Sequence, residues 1–466
     1  MNLARAAFIV SAVNIRVDPQ LIALFAVALM VGGSRAQSLA ATADDTPCAP
    51  TDPVAGDGTS PEGQVPNPTP RRIQISWDRG PVLVVRRILP PPVGTGVGLQ
   101  GENLLRVRFG LRVSVDAAAY LTGGDLADIS NTVEMRRGYV KADGQLDLWK
   151  ELPFRVELGF VNREFTLEKA YVVVPALPYG GDLTIGQFTT PFSLEATTES
   201  SARTFMESAL PVTAFAPSWK VGVQLANRTR DRNVTWALGW FADGSPNDVG
   251  EDSQSFSRLI GRLTWLPVDG DSAPDAPLVH LGLSGGYVLS TQGTIQFQSR
   301  PESFPAPKLL NSGDLDAKDA VMLAIEAALV RGPFSIQSEF LGSRVVDRSQ
   351  GDLTFYGVYT YASWICTGET RPYNRMKGAF ARVVPRRDFS WTTWAPGAWE
   401  VAARFSYLTL NDGSVRGGTD AAETAGVNWY LNRWLRIQAN YNFEDLGGRP
   451  QRGPLNVFQM RWDLFW

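Results

Sequence analysis

From Leu104 to the C-terminus, apolar and polar positions alternate in segments of roughly ten residues separated by turn residues, the pattern of barrel strands. In Leu105–Asp116 one face carries Leu105, Val107, Phe109, Leu111, Val113 and Val115, and the other Arg106, Arg108, Arg112, Ser114 and Asp116. An arginine facing lipid at the bilayer midplane costs ~2–4 kcal/mol, so these arginines assign the polar face to the interior. The alternation returns in Phe154–Phe160, Trp219–Leu225, Val234–Trp240, Ser257–Trp265, Leu278–Leu289, Val321–Leu329, Trp399–Tyr407 and Leu435–Phe443. Roughly sixteen or seventeen segments can be counted, and single-chain bacterial barrels have even strand numbers, so sixteen is expected. Met376–Val384 is the segment in doubt: it belongs to an extracellular loop or runs on from its neighbour. The last segment places Phe458, Met460, Trp462, Leu464 and Trp466 on one face and Gln459, Arg461 and Asp463 on the other. Alone, it fits a closing barrel strand or a terminal strand on a soluble core; the repetition upstream selects the barrel. The expected fold is therefore all-β, a sixteen-stranded antiparallel transmembrane barrel.

Composition constrains the remainder. Residues 1–36 have Arg5 and Arg16 before the apolar run Leu21–Val31 and small residues at Ser34-Arg35-Ala36, the layout of a cleaved signal peptide. After residue 37 no apolar stretch approaches the ~20 residues of a membrane helix, so any crossing is made by strands. Residues 37–102 form the expected periplasmic leader. Up to residue 70 it is rich in Pro, Thr, Asp and Gly, and such a composition cannot bury enough surface to order itself. Its strand-like piece Val82–Ile88 precedes Pro90-Pro91-Pro92 and is expected to stand apart from the barrel, which is assigned to residues 103–466. The net charge of −3 and the lack of a dense basic tract argue against a nucleic-acid partner. Cys48 and Cys366 make no disulfide framework. A single histidine, His280, removes most zinc sites and any catalytic mechanism needing two histidines; no cofactor and no enzyme activity are expected.

Several motifs carry a family likeness. Glu134–Val140 reads EMRRGYV, Gly186–Glu195 reads GQFTTPFSLE, and Ser200-Ser201 is followed by Phe205-Met206-Glu207. Thr367–Tyr373 reads TGETRPY, Gly397–Asp412 reads GAWEVAARFSYLTLND, and Asn428–Asn432 reads NWYLN. In this order and spacing, from about Asn103 to Trp466, the chain resembles the phosphate-selective porin O and P family of Gram-negative outer membranes. The resemblance implies a trimeric sixteen-stranded porin with an inward-folded third loop and cationic side chains that attract anions. It also implies residence in outer-membrane lipid and insertion by the barrel-assembly machinery, which reads the closing aromatic Trp466.

The implied site is a wall of arginines, because guanidinium groups stay charged and bind phosphate in a bidentate fork. Arg136 and Arg137 match the family's tandem arginine. Adjacent side chains point to opposite faces at period two, so both reach the lumen only through a bulge or kink. Arg262 matches an inward arginine of the family's cation ladder, Arg258 shares its face, and Arg106, Arg108 and Arg112 lie on the polar face of the first segment. Glu168 matches an acidic position near the family's anion site. Within the third loop the chain departs from the pattern: Ala202 follows the Ser-Ser pair, Arg203 comes one residue later, and Ser208 stands where a basic residue is common. The function expected is a passive channel for inorganic anions such as phosphate or polyphosphate. A porin of broad specificity is the alternative, since Asp116, Glu157, Glu326 and Glu400 dilute the basic face. A structural or adhesive barrel without transport is another.

Overall fold

The computed structural model describes residues 71–77, 81–89, 100–161, 164–178, 181–242, 256–270, 276–290, 294–448 and 452–466. The signal-peptide assignment and the leader up to residue 70 lie outside them. A hairpin comes first, β1 (Arg71–Trp77) and β2 (Pro81–Leu89), followed by β3 (Gln100–Thr122), β4 (Thr132–Asp147), β5 (Glu151–Val161) and β6 (Glu164–Leu177). Next are β7 (Gly181–Thr189), β8 (Trp219–Arg228), β9 (Val234–Ala242), β10 (Phe256–Asp269) and β11 (Leu278–Ser290). The two-residue strands β12 (Gln298–Ser299) and β13 (Leu310–Asn311) pair in a connection, before β14 (Ala317–Arg331), β15 (Phe334–Asp347) and β16 (Gly351–Ile365). Another such pair, β17 (Tyr373–Asn374) and β18 (Ala379–Phe380), precedes β19 (Ala398–Asp412), β20 (Val415–Tyr430), β21 (Leu435–Gly447) and β22 (Gly453–Phe465).

Sixteen of these strands, β3–β11, β14–β16 and β19–β22, form one closed antiparallel barrel. Each pairs with its neighbour in sequence, and the ring closes where β22 meets β3, from Leu455 opposite Thr122 to Phe465 opposite Arg112. Closure is what lipid demands, because an open edge would leave backbone N–H and C=O groups without partners. The two faces sort as the sequence pattern requires. On β22, Phe458, Met460, Trp462 and Leu464 are exposed while Gln459, Arg461 and Asp463 are buried. On β14, Val321, Leu323 and Ile325 point outward and Met322 and Glu326 inward. An exposed apolar belt around buried polar side chains inverts a soluble protein and identifies the outer face as the lipid face. Among the described residues no helix is long and apolar enough to cross a membrane.

Two features differ from the sequence reading. Met376–Val384 contains only β18 and no barrel strand; it lies in the connection 366–397 between β16 and β19. Strand parity puts this connection at the end shared by the short turns 148–150, 332–333 and 431–434, not at the end of the long connections 190–218 and 291–316. Met376–Val384 therefore lies at the end opposite the long connections 190–218 and 291–316 and does not run on from a barrel strand. The strand-like piece before the barrel is a strand, but it does not stand apart. β2 pairs with the lower part of β3, from Val82 opposite Arg108 to Leu89 opposite Gln100. The prolines that suggested separation follow Leu89, beyond the last paired residue, and so break no ladder bond. β22 occupies the same edge of β3 higher up, and the Trp466–Leu111 backbone pair marks where one partner gives way to the other.

A charge on the outer face tests the assignment. Leu263 is half exposed near the middle of β10. Leu263→Arg should lower the unfolding free energy in vesicles by ~2–4 kcal/mol, read from urea titration.

Candidate functional site

Long connections are fixed to the polar face of the wall by buried side chains. The connection 190–218 holds a short helix α1 (Leu194–Thr197), a 3₁₀ turn (Ser200–Ala202) and α2 (Leu210–Phe215). The Leu194 and Glu195 N–H groups donate to the Glu339 carboxylate on β15 at 2.9 and 2.8 Å, and Leu210 N–H donates to Ser406 on β19 at 3.1 Å. Between the helices, backbone carbonyls accept from wall side chains. Arg436 holds Arg203 O, Asn428 and Gln438 hold Thr204 O, Arg461 holds Met206 O and Arg404 holds Glu207 O. Arg461 also makes a two-pronged pair with Asp116, 2.6 Å on each side, and reaches Glu207 Oε1 at 2.6 Å.

In the connection that follows β11, Glu302 makes the largest set of ties to the wall. Glu302 N–H donates to Glu444, its carbonyl accepts from Asn442 and Gln459, and its carboxylate accepts from Arg404 and Thr424. This sets Arg300 and Phe304 beside the 190–218 segment. The Phe304 ring lies 3.5 Å from the Arg136 guanidinium, which also pairs with Glu207 at 3.1 Å.

The packed elements leave a cavity of about 1150 Å³. Twelve Arg and Lys side chains line it against six Asp and Glu, so it is locally basic in a chain that is acidic as a whole. Two bulges shape this lining. The β3–β4 register runs from Ser114 opposite Arg137 to Val115 opposite Met135, passing over Arg136, and both arginines line the cavity. The β5–β6 register likewise passes over Glu168, so that Glu168 and Lys169 share the cavity. An extra residue in one strand re-aims its side chain, which is how adjacent positions reach one side of a sheet. Arg137 is buried and its Nη1 has no hydrogen-bond partner among the described residues; the same holds for Glu168 Oε2 and Arg203 Nε.

The residues expected from sequence therefore divide. Arg108, Arg112, Arg136, Arg137, Glu168 and Arg203 line this cavity. Arg106, Arg258 and Arg262 do not. Arg106 is exposed on the stretch of β3 that pairs with β2, and Arg258 sets Nη1 3.9 Å from Met322 Sδ. Arg262 is buried against Glu326 at 2.7 Å and donates to the carbonyls of Lys377 and Gly378, tying the connection 366–397 to the wall. His280 sits beside it, between Glu326 at 3.0 Å and the Tyr373 hydroxyl at 2.7 Å.

Sequence reasoning missed Lys141, Arg155, Lys169, Arg300, Lys377, Arg382 and Arg433 as lining residues. Lys141 was legible, since it shares the period-two face of Arg137 and Tyr139. Arg300, Lys377 and Arg382 come from irregular connections, where no periodicity gives direction.

Charges in the connections respond to this setting. Burial alone would raise the Glu207 carboxyl, but Arg136, Arg461 and Arg137 outweigh it and hold the group well below the usual carboxylate range. Glu199 follows the same logic: Lys377, Arg155 and Lys169 depress it against the effect of burial. Burial pushes the Arg382 guanidinium down, and Arg436 and Arg112 add to the effect.

A closed sixteen-stranded barrel with a lipid-facing belt defines an outer-membrane protein of the porin class. The chain belongs to the phosphate-selective porin O and P family, whose model matches residues 107–445. It is 23% identical over 355 residues to Porin O of Pseudomonas aeruginosa, spanning 69% of this chain and 78% of that protein. It is 26% identical over 352 residues to an uncharacterised protein of Caulobacter vibrioides, covering 72% and 68% respectively. An anion-selective porin from Comamonas acidovorans shares the fold with a TM-score of 0.51 at 13% identity, over 78% of this chain and 100% of that one. The trimer form of OmpT from Vibrio cholerae gives 0.50 at 11%, over 78% and 99%.

Two outcomes test the clamps. Arg461→Met leaves Asp116 and Glu207 buried without their shared cation and should cost ~3–5 kcal/mol, read as a lower urea midpoint. The Glu207 carboxyl lies below its unfolded value of ~4.3, so its stabilisation is complete above that pH and is lost as pH falls through the folded value. Protease protection of residues 190–218 should hold from about pH 8 to about pH 5 and decline below ~4, and Glu207→Gln should flatten that decline.

Proposed function

We propose that the protein is a passive outer-membrane channel favouring anions, with phosphate or polyphosphate as its preferred cargo. The observation that carries this reading is the basic cavity, lined by twelve Arg and Lys side chains, Arg137 among them, against six Asp and Glu. Guanidinium groups stay charged and bind an oxyanion in a bidentate fork, so a wall rich in them attracts anions. The low-dielectric wall focuses the field, while binding through few contacts leaves the ion able to depart.

In this reading 190–218 is the inward-folded third loop that narrows the pore. Arg137 is the principal anion ligand, while Arg136 is engaged by Glu207 and Phe304 and mainly supports the loop. The acids that seemed to dilute the basic face favour selectivity instead. Asp116 is taken by Arg461, Glu326 by Arg262, and Glu400 by Thr204, Asn428 and Tyr430, which leaves Glu157 alone of the four at the cavity. The working assembly is read as a homotrimer, the form in which a structurally similar porin was solved. Membership of a porin family supports a channel rather than an enzyme. Export through a signal peptide at 1–36 and a leader ahead of the barrel complete the reading.

Purified protein in a planar bilayer should give stepwise conductance, reversal potentials showing anion preference, and chloride current blocked by added phosphate. Arg137→Ala should reduce the anion-to-cation permeability ratio several-fold, and more than Arg136→Ala does. Cation preference in the native protein would reject the anion reading and keep the channel; an absence of conductance would favour a structural barrel.

A further inference from the structure

The connection 366–397 contacts both faces of the barrel wall. Its first part meets the polar face: Tyr373 bonds His280, Gly378 O accepts from Arg262, and Phe380 N–H donates to Thr198. Its second part meets the apolar face. Phe389 N–H donates to Leu431 O at 2.6 Å, and the Phe389 ring stands edge-on to Trp429 with centroids 5.0 Å apart. Pro396 O accepts from both Trp399 Nε1 at 3.2 Å and Trp429 Nε1 at 2.8 Å, and those two indoles stack at 4.9 Å. Trp399 shares its face with Val401 and Phe405, and Trp429 with Val427, the lipid-facing side of β19 and β20. Between residues 380 and 389 the chain thus passes over the rim of the barrel.

Beyond the rim, residues 389–396 make a closed hook. Ser390 bridges Ala395, and Ser390 Oγ accepts from Thr393 N–H at 3.2 Å. Trp391 and Trp394 project from it, 74% and 84% exposed, and Trp394 adopts a left-handed φ of 54°. An indole has no steric reason to take that conformation, so the hook holds the side chain outward at a conformational cost. Exposed Arg386 and Arg387 stand at its base.

We propose that residues 386–396 are a membrane-interface anchor that sits among the phospholipid headgroups of the leaflet at the short-turn end. Indoles favour that layer because an apolar ring and a polar N–H are both served there, and arginines at the same level meet phosphate. The hook continues the lipid-facing surface of β19 and β20 through Trp399, Trp429 and Phe389, so the medium that covers those rings reaches its tip. Two rings on a narrow turn carrying Thr392 and Thr393 do not offer the ~800 Å² per partner of a stable interface with a second copy. The inference is independent of ion selectivity.

The test places a nitroxide at Thr393→Cys in full-length protein carrying Cys48→Ser and Cys366→Ser, folded into phosphatidylethanolamine–phosphatidylglycerol vesicles. Power saturation should show the label open to oxygen and several-fold protected from a water-soluble nickel chelate. Adding Trp391→Ser with Trp394→Ser should remove that protection. Should the added substitutions prevent folding, the depth in the singly labelled protein decides alone. Nickel access equal to that of an aqueous loop overturns the proposal. So does dipolar coupling between labels that persists in detergent, which would assign the hook to contacts between copies.

Discussion

One guanidinium, that of Arg461, ties together the two things on which this molecule depends. It lies on the last strand and grips Asp116 on the first barrel strand, so it sits across the seam that closes the ring. The same group holds Met206 O and Glu207 and so fixes the segment 190–218 to the wall. Fully buried, it is worth its desolvation only because each of its nitrogens has an acceptor. Barrel closure and loop position are therefore set by one cluster, and the cavity lining inherits its geometry from both.

Arginine serves two purposes here, and the difference is one of partners. Arg404 and Arg461 are consumed by carboxylates and loop carbonyls and behave as structural ties. Arg137 and Arg203 line the cavity, and each keeps a nitrogen without a hydrogen-bond partner among the described residues. The ties make the free groups useful: a loop held by its carbonyl oxygens cannot drift to neutralise the cations beside it. Acids divide in a similar way: Asp116, Glu326 and Glu400 are engaged with the wall away from the cavity, while Glu157 and Glu168 line it.

Backbone irregularity supplies the rest of the site. A regular strand presents only every second side chain inward, so two adjacent residues do not share the cavity side without an irregularity. The bulges at Arg136 and Glu168 each add a residue to the cavity side. In both cases one of the two adjacent groups is engaged in an ion pair, Arg136 with Glu207 and Lys169 with Glu157, while its neighbour retains an unpartnered atom. Tight coupling of support and ligand follows from the chain being continuous through both.

Period-two alternation, repeated from Leu105 to Trp466, was enough to read the barrel, its strand number and its lipid face, because lipid imposes one rule on every strand. The Phe458–Trp466 face was legible for the same reason; of the β3 arginines, Arg108 and Arg112 line the cavity and Arg106 does not. Motif order sufficed for the family. Alternation cannot say which inward arginine meets a carboxylate across the ring: Arg262 and Arg137 look alike in sequence, yet one is paired with Glu326 and the other keeps an open nitrogen. Nor does it direct side chains in the irregular connections, which is why Arg300 and Lys377 went unseen and Met376–Val384 stayed undecided between a loop and a run-on of its neighbour. Those choices depend on contacts between residues far apart in the chain, and only the closed, packed barrel brings them within hydrogen-bonding distance.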